Sequence, residues 1–236
     1  NAGDVVSVTV TMSAATTVTG TPQLSLNIGG TAVQADYVSG SGTTSLVFTY
    51  TIIAGQTDAN GISIGANALA LNGGTLKNAS GNDATLTHAA VTDNAGYLVD
   101  TTAPAAPVIS IVATDDIINS SEQGVTISGT NEAGATVALT VGTNIRTATV
   151  SGTTWTYNLV PSDITAMGQG AETLSATQTD AAGNVSTAGT RAITVDTTAA
   201  PVVSSVAITS ATGVQNSTLN AGDVVSVTVT MSAATT

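Results

Sequence analysis

The sequence predicts an all-β protein built from tandem two-sheet sandwich modules, and three observations carry that prediction. Runs of Val, Ile, Leu and Thr alternate apolar with polar residues along most of the 236 residues, which is the period of a half-buried strand. Gly and Asn punctuate these runs at short intervals, and no segment shows a sustained helical period. Residues 1–17, NAGDVVSVTVTMSAATT, recur unchanged as residues 220–236, at an offset of 219 residues. Such an identity marks a tandem array, and its period is longer than one domain.

A shorter motif divides the period. VDTTAP at 99–104 reappears as VDTTAAP at 195–201, with Pro104 and Pro201 97 residues apart and 122 residues left for the remainder. The unit therefore holds two non-identical modules of domain size. Pro fixes φ and biases the residue ahead of it toward an extended form, which suits a short stiff linker. Three parts follow. Residues 1–103 are a first module whose opening strand lies ahead of residue 1. Residues 104–200 are a complete second module. Residues 201–236 are the first two strands of the next copy of the first module.

In the first module Val6, Val8, Val10 and Met12 alternate with Ser7, Thr9 and Thr11, and Leu46, Phe48, Tyr50 and Ile52 with Val47, Thr49 and Thr51. Its missing opening strand is what PVVSSVAITSATGVQNSTL, residues 201–219, shows in the next copy. In the second module the strands are expected at 107–112, 124–130, 135–141, 144–150, 154–159, 171–179 and 190–195. Trp155, Tyr157 and Leu159 share one face of their strand and Thr154, Thr156 and Asn158 the other. Trp155 is read as the packing residue between the sheets. Seven short strands with turn signals fit a sandwich.

Composition excludes several functions. Fifteen acids face three bases, Lys77, Arg146 and Arg191, so the formal charge is −12. Three cations cannot build a nucleic-acid surface. With no Cys there is neither a disulfide framework nor a thiolate zinc site. No apolar run has the length of a membrane span. The one imidazole, His88, lies between Thr87 and Ala89 and reads as a strand or loop end, so the chain is expected not to be an enzyme.

The linkers VDTTAP, the TDAAGN ahead of the last strand and TWTYNLVPSDIT resemble the bacterial Ig-like repeats in the extender region of giant type I-secreted (RTX/biofilm-associated) adhesins. NAGDVVSVTVTMS, VTGTPQLSLNIGG and GQTDANGISI in the first module resemble a second Ig-like type of the same proteins. The resemblance implies tandem Ig-like β-sandwich modules, secretion to a bacterial cell surface, calcium at the junctions, and a spacer that presents a ligand-binding tip in adhesion and biofilm formation.

Strand parity makes a case for calcium from the residues themselves. If seven strands run up and down, the two chain ends of a module lie at opposite ends of the sandwich. Asp100, Asp180 and Asn184 then gather at the proximal junction of the second module. Asp115, Asp116, Glu122 and Asp196 gather at its distal junction. Asp93 of a first-type module is expected to face the Asp196 of the module before it. Clustered carboxylates with few cations repel one another, and Ca2+, which takes six to eight oxygen ligands with loose geometry, relieves that repulsion. Asp58, Asn60, Asn82 and Asp83 sit in Gly-rich turns and read as turn formers.

Other readings remain beside the extender. One is an S-layer or surface-filament subunit, and another is a repeat that itself binds carbohydrate. The expected partners are neighbouring repeats of the same chain. Head-to-tail strand donation through 201–219 is a further expectation.

Overall fold

The computed structural model describes residues 1–233. Over 5–100 the strands are β1 (Val5–Thr19), β2 (Gln23–Ile28), β3 (Thr31–Ser39), β4 (Thr43–Thr51), β5 (Thr57–Asp58), β6 (Leu69–Ala70), β7 (Thr75–Asn78) and β8 (Val99–Asp100). One sheet has the order β6-β2-β3-β4-β1-β7, and β5 pairs with β8. The alternation in the sequence sets which side chains are buried. In β1 Val6, Val8, Val10 and Met12 are half-buried and Ser7, Thr9 and Thr11 exposed. Leu46 and Phe48 of β4 are buried with Leu24, Leu26, Ile28 and Leu76. β1 changes partner along its length. Val5–Thr11 pair with β4, and Thr16–Thr19 pair with β7. Among the described residues no strand pairs with the other edge of Val5–Thr11.

The second module comprises β9 (Val108–Ile109), β10 (Ile117–Asn119), β11 (Thr126–Thr130), β12 (Thr136–Val141), β13 (Asn144–Thr147), β14 (Thr149–Ser151), β15 (Thr154–Asn158), α1 (Pro161–Met167), β16 (Gly170–Thr179) and β17 (Gly189–Asp196). One sheet runs β10-β17-β16-β12-β13 and the other β14-β15-β11-β9. Leu139 and Leu174 of the first sheet and Ile127 and Trp155 of the second are all buried in a single core. Trp155 packs against Gly129, its cross-strand partner. A Cβ on Gly129 would lie 2.7 Å from the indole ring and 1.8 Å from the Val108 carbonyl oxygen. Only glycine leaves room there for both the ring and the neighbouring strand.

Three expectations need correction. The strand expected at 107–112 is cut short to Val108–Ile109, after which the chain changes sheets. β9 pairs with β11, and β10 then pairs in parallel with β17. The chain crosses at 113–116, where Ala113, Thr114 and Asp116 adopt φ of 49°, 74° and 63°, a conformation that non-glycine residues rarely take. The strand expected at 144–150 is split, into β13 on one sheet and β14 on the other. Finally, Pro161–Met167 forms a helix. Seven residues are too few for a periodicity signal, but Pro at the first helical position and Asp163 in the first turn are helix-start features.

Asp116 holds the crossing in place. Its carboxylate accepts hydrogen bonds from Arg191 Nε at 2.6 Å and Nη2 at 2.5 Å, and from the Val112 amide at 3.0 Å. The bidentate bond to Arg191, then the Val112 amide, hold its carboxyl below the usual carboxylate range, with burial opposing. A carboxyl lowered in the folded state stabilises above its unfolded pKa and loses that contribution as pH falls through the folded value. Asp116→Asn is therefore expected to lower the melting temperature of the second module at pH 7. The gap from wild type should close as pH falls through the acid range. A gap that persists unchanged to pH 2 would count against the ion pair as its cause.

The remaining described segment is a hairpin of β18 (Val203–Thr212) and β19 (Val224–Met231). Its side chains are almost all exposed. Residues 234–236, at the end of the repeated 17-residue stretch, lie outside the described residues.

Candidate functional site

The second module passes the chain from one end to the other. A Cβ on Gly189, at the start of β17, would lie 1.8 Å from the Pro107 carbonyl oxygen, so β17 begins beside the start of the module. β10 runs parallel to β17, with Asn119 opposite Asp196. The module therefore begins at one end and finishes at the other.

At the proximal end the structure places Asp100, Asp180 and Asn184 side by side. Asn184 donates from Nδ2 to the Asp180 carboxylate at 2.9 Å and to the Asp100 carbonyl across the junction at 3.2 Å. Asp180 also accepts from the Asn184 amide at 2.8 Å. The Asn184 side chain and nearby backbone amides hold the Asp180 carboxyl below its ordinary range, against burial. Asp100 accepts from the Thr102 amide at 2.9 Å. Asp100 and Asp180 border a crevice of about 510 Å³ between the modules, together with Asp58, Glu132, Thr57 and Pro104.

Glu132 and Asp58 were not among the residues expected here. The signal for Glu132 was present, because the parity that puts Asp180 at this end puts the turn 131–135 there as well. Asp58 lines the crevice but is 3% exposed. Its carboxylate accepts from the amides of Gly29, Asn60 and Gly61. The turn-forming role expected of it is the one it has.

The distal grouping does not assemble. Asp116 is bound to Arg191 and lies beside Thr194 rather than at the module end. Asp115 accepts from the Ile117 amide in the same crossing. Strand parity misplaced both, because a further strand, β10, follows them in the other sheet. Glu122 accepts from the Asn119 amide, and Asn119 is the register partner of Asp196, so Glu122 and Asp196 do share the distal end. Asp196 accepts from the amide and hydroxyl of Thr198, repeating the Asx turn that Asp100 makes with Thr102. Asp93 accepts a hydrogen bond from Asn60, in the turn that follows β5. That places it toward the Asp100 side of the first module, not at its far end. Parity failed here because the segment 79–98 contains no regular strand.

All three basic side chains are paired away from the junctions: Lys77 with Asp83, Arg146 with Asp163 and Arg191 with Asp116. Among the described residues no three His, Cys, Asp or Glu side chains converge as a metal-binding group. His88 uses both ring nitrogens on backbone, with Ala68 N–H on Nε2 and the Ala89 carbonyl on Nδ1. No helix among the described residues is long and apolar enough to cross a membrane.

The fold defines a class: tandem Ig-like β-sandwich modules. Residues 108–197, within the second module, match the family described as bacterial Ig-like domain. No curated protein matches the chain. Solved structures with a similar course include a 1.5-MDa bacterial ice-binding adhesin studied for host cell surface retention. It is 22% identical over 90% of this chain and 63% of its own, with a TM-score of 0.37. A Ca2+-stabilized adhesin with which an Antarctic bacterium binds ice is 23% identical over 90% of this chain and 53% of its own, with a TM-score of 0.44. A bacterial immunoglobulin-like domain from the M. primoryensis ice-binding adhesin is 30% identical over 40% of this chain and all of its own, with a TM-score of 0.31. The chain thus spans less than two thirds of the first two.

Proposed function

We propose that this chain is a structural extender of a secreted, cell-surface bacterial adhesin, a spacer without catalytic activity. One observation carries the reading: the second module takes the chain in at one end and releases it at the other. Joined to an exact repeat at a 219-residue offset, this geometry builds length with each copy. The VDTTAP linkers and their resemblance to adhesin extender repeats support the surface setting. The long strands β16 and β17, ten and eight residues at about 3.3 Å each, give a module about 40 Å long with its loops, so roughly 80 Å per period. Small-angle scattering on one, two and three copies of the period should show a maximum dimension that grows by about that much per copy. A dimension that stays flat as copies are added would overturn the spacer.

Calcium at the proximal junction is the finer part of the proposal. Asp100, Glu132 and Asp180 line one crevice, and every basic side chain of the protein is bound elsewhere. This donor set suits a hard cation with flexible coordination. Asp58, held by three amides, would not take part, and Asp100 and Asp180 would turn from their local turns toward the ion. A ligand bound only by the folded state adds about 2.7 kcal/mol at a hundredfold excess over Kd. Millimolar Ca2+ is therefore expected to raise the melting temperature over that in EDTA, with Mg2+ doing much less and Asp180→Asn removing most of the rise. Identical melting curves in Ca2+ and EDTA would end the calcium part and leave the spacer reading standing.

A further inference from the structure

The opening segment of the second module travels beside its last strand. Pro107 lies against Gly189, and Arg191 donates to the Ile109 carbonyl at 3.4 Å. Further on, Ile117, Ile118 and Asn119 pair in parallel with Thr194, Val195 and Asp196. Residue numbers rise together along both, so residues 107–119 and β17 run in the same direction, from the proximal end to the distal end. The crossing at 113–116 makes this possible, because it moves the chain from the sheet of β11 to the sheet of β17. The two segments are fastened at that crossing. The Asp116 carbonyl accepts from the Thr194 amide at 2.8 Å, and the Asp116 carboxylate takes the bidentate bond from Arg191.

This arrangement sets what tension does to the module. The linker at Pro104 draws residues 107–119 toward the proximal end, and the linker after Asp196 draws β17 toward the distal end. Parallel strands drawn in opposite senses along their own length are sheared. The bonds between them then share the load and must give way together. Strands pulled apart from one shared end are instead peeled, and their bonds fail singly. β17 is anchored on its other side by seven register pairs with β16. β9 is held to β11 by two, Ile109 with Gly129 and Val108 with Thr130, so it yields first and frees only a short length of chain. The load then falls on β10 and on the Asp116–Arg191 pair. Bidentate, charge-assisted bonds are among the stronger hydrogen bonds, and both side chains are largely shielded from water.

We infer that the parallel pairing of β10 with β17, locked by Asp116 and Arg191, is a mechanical clamp that carries tensile load through the second module. That the protein meets such a load rests on the spacer reading. The clamp itself does not, and a force measurement tests it whatever the scattering experiment finds. The clamp is made of protein groups alone, so it also stands apart from calcium at the proximal junction.

The test is single-molecule force spectroscopy on the 236-residue chain in EDTA, which keeps bound cations out of the measurement. The chain has no Cys, so introduced cysteines at exposed positions set the direction of pull. Ala103→Cys with Ala199→Cys loads the module lengthwise. The main rupture is expected to release roughly 280 Å, the length of about 90 extended residues less the folded module. Ser120→Cys with Ala199→Cys grips the same two strands at their shared distal end, and the module should open at a force several-fold lower. Asp116→Asn should lower the lengthwise force. Asp163→Ala, which also destabilises the module but lies off the load path, should leave that force as it is. Equal forces in the two directions would overturn the clamp. So would a lengthwise force untouched by Asp116→Asn, or one lowered as much by Asp163→Ala. The comparison of directions needs no substitution within the clamp, so it stands even if Asp116→Asn fails to fold.

Discussion

Replacing Trp155 with Ala lowers the stability of the second module by about 3–5 kcal/mol, the range for removing a large aromatic side chain from a packed core. The indole is 1% exposed and is the largest fully buried side chain. It sits where β15 pairs with β11 on one side and β14 on the other, and it fills the space that Gly129 leaves open. Collapse of the surroundings cannot recover much of the cavity, because backbone lines it on the Gly129 side. For a domain of this size the shift in melting temperature is roughly 15–30 °C. The two modules have separate cores, so calorimetry should show one transition moved and the other unmoved. Trp155 Nε1 has no hydrogen-bond partner. Trp155→Phe therefore loses area but no polar contact, and is expected to lose less than half as much. Equal losses for Phe and Ala would contradict this account of the site.

Asp163→Ala is the second large effect, at about 3 kcal/mol. The carboxylate is wholly buried at the start of α1. It accepts from Arg146 Nε at 2.8 Å, the Tyr157 hydroxyl at 2.7 Å, Asn144 Nδ2 at 3.0 Å and the Val160 amide at 3.2 Å. One side chain thereby ties β13, β15 and α1 together. Removing it leaves a guanidinium and a hydroxyl without their partner, which is worse than never having had the group. Burial pushes this carboxyl up, but Tyr157, Arg146 and the other donors outweigh it and bring it below the usual range. The stabilisation is therefore complete above the ordinary carboxylate pKa of about 3.9 and is lost as pH falls through the lower folded value. Urea unfolding of wild type and variant should differ by a constant amount from pH 7 to about 5 and converge below about 4. A difference that grows toward acid pH would reverse the sign and refute the assignment.

Much of the fold was legible because the side-chain period of a strand is two and does not depend on its partners. Val6, Val8, Val10, Leu46, Phe48 and Trp155 could be assigned to the inside from alternation alone. The linkers and the repeat were legible because identity needs no geometry. The helix Pro161–Met167 was not, since seven residues between strands carry too few turns for a pattern. The crossing at 113–116 was not legible either. Ala113 and Thr114 are poor left-handed formers, and nothing local marks them. They are held by β9 and β10 belonging to different sheets, and by the bond to neighbouring Asp116 from Arg191, 75 residues away from it. Acid placement shared this limit. Parity located Asp100, Asp180 and Asn184 because complete strands separate them. It misplaced Asp93, Asp115 and Asp116, where strands split or give way to irregular chain.

The sequence by itself therefore determined the class of fold, the repeat and its Pro-containing linkers, the inward faces of the long strands and the scarcity of cations. Each of these follows from local period, identity or counting. Tertiary structure decided which acids lie free at a junction and which are bound to Arg191, Arg146 or Lys77. It also decided that β10 takes the edge of its sheet, beside β17. Both are long-range outcomes. A charge pair or an edge is settled by which strands become neighbours, and that depends on the packing of the whole module.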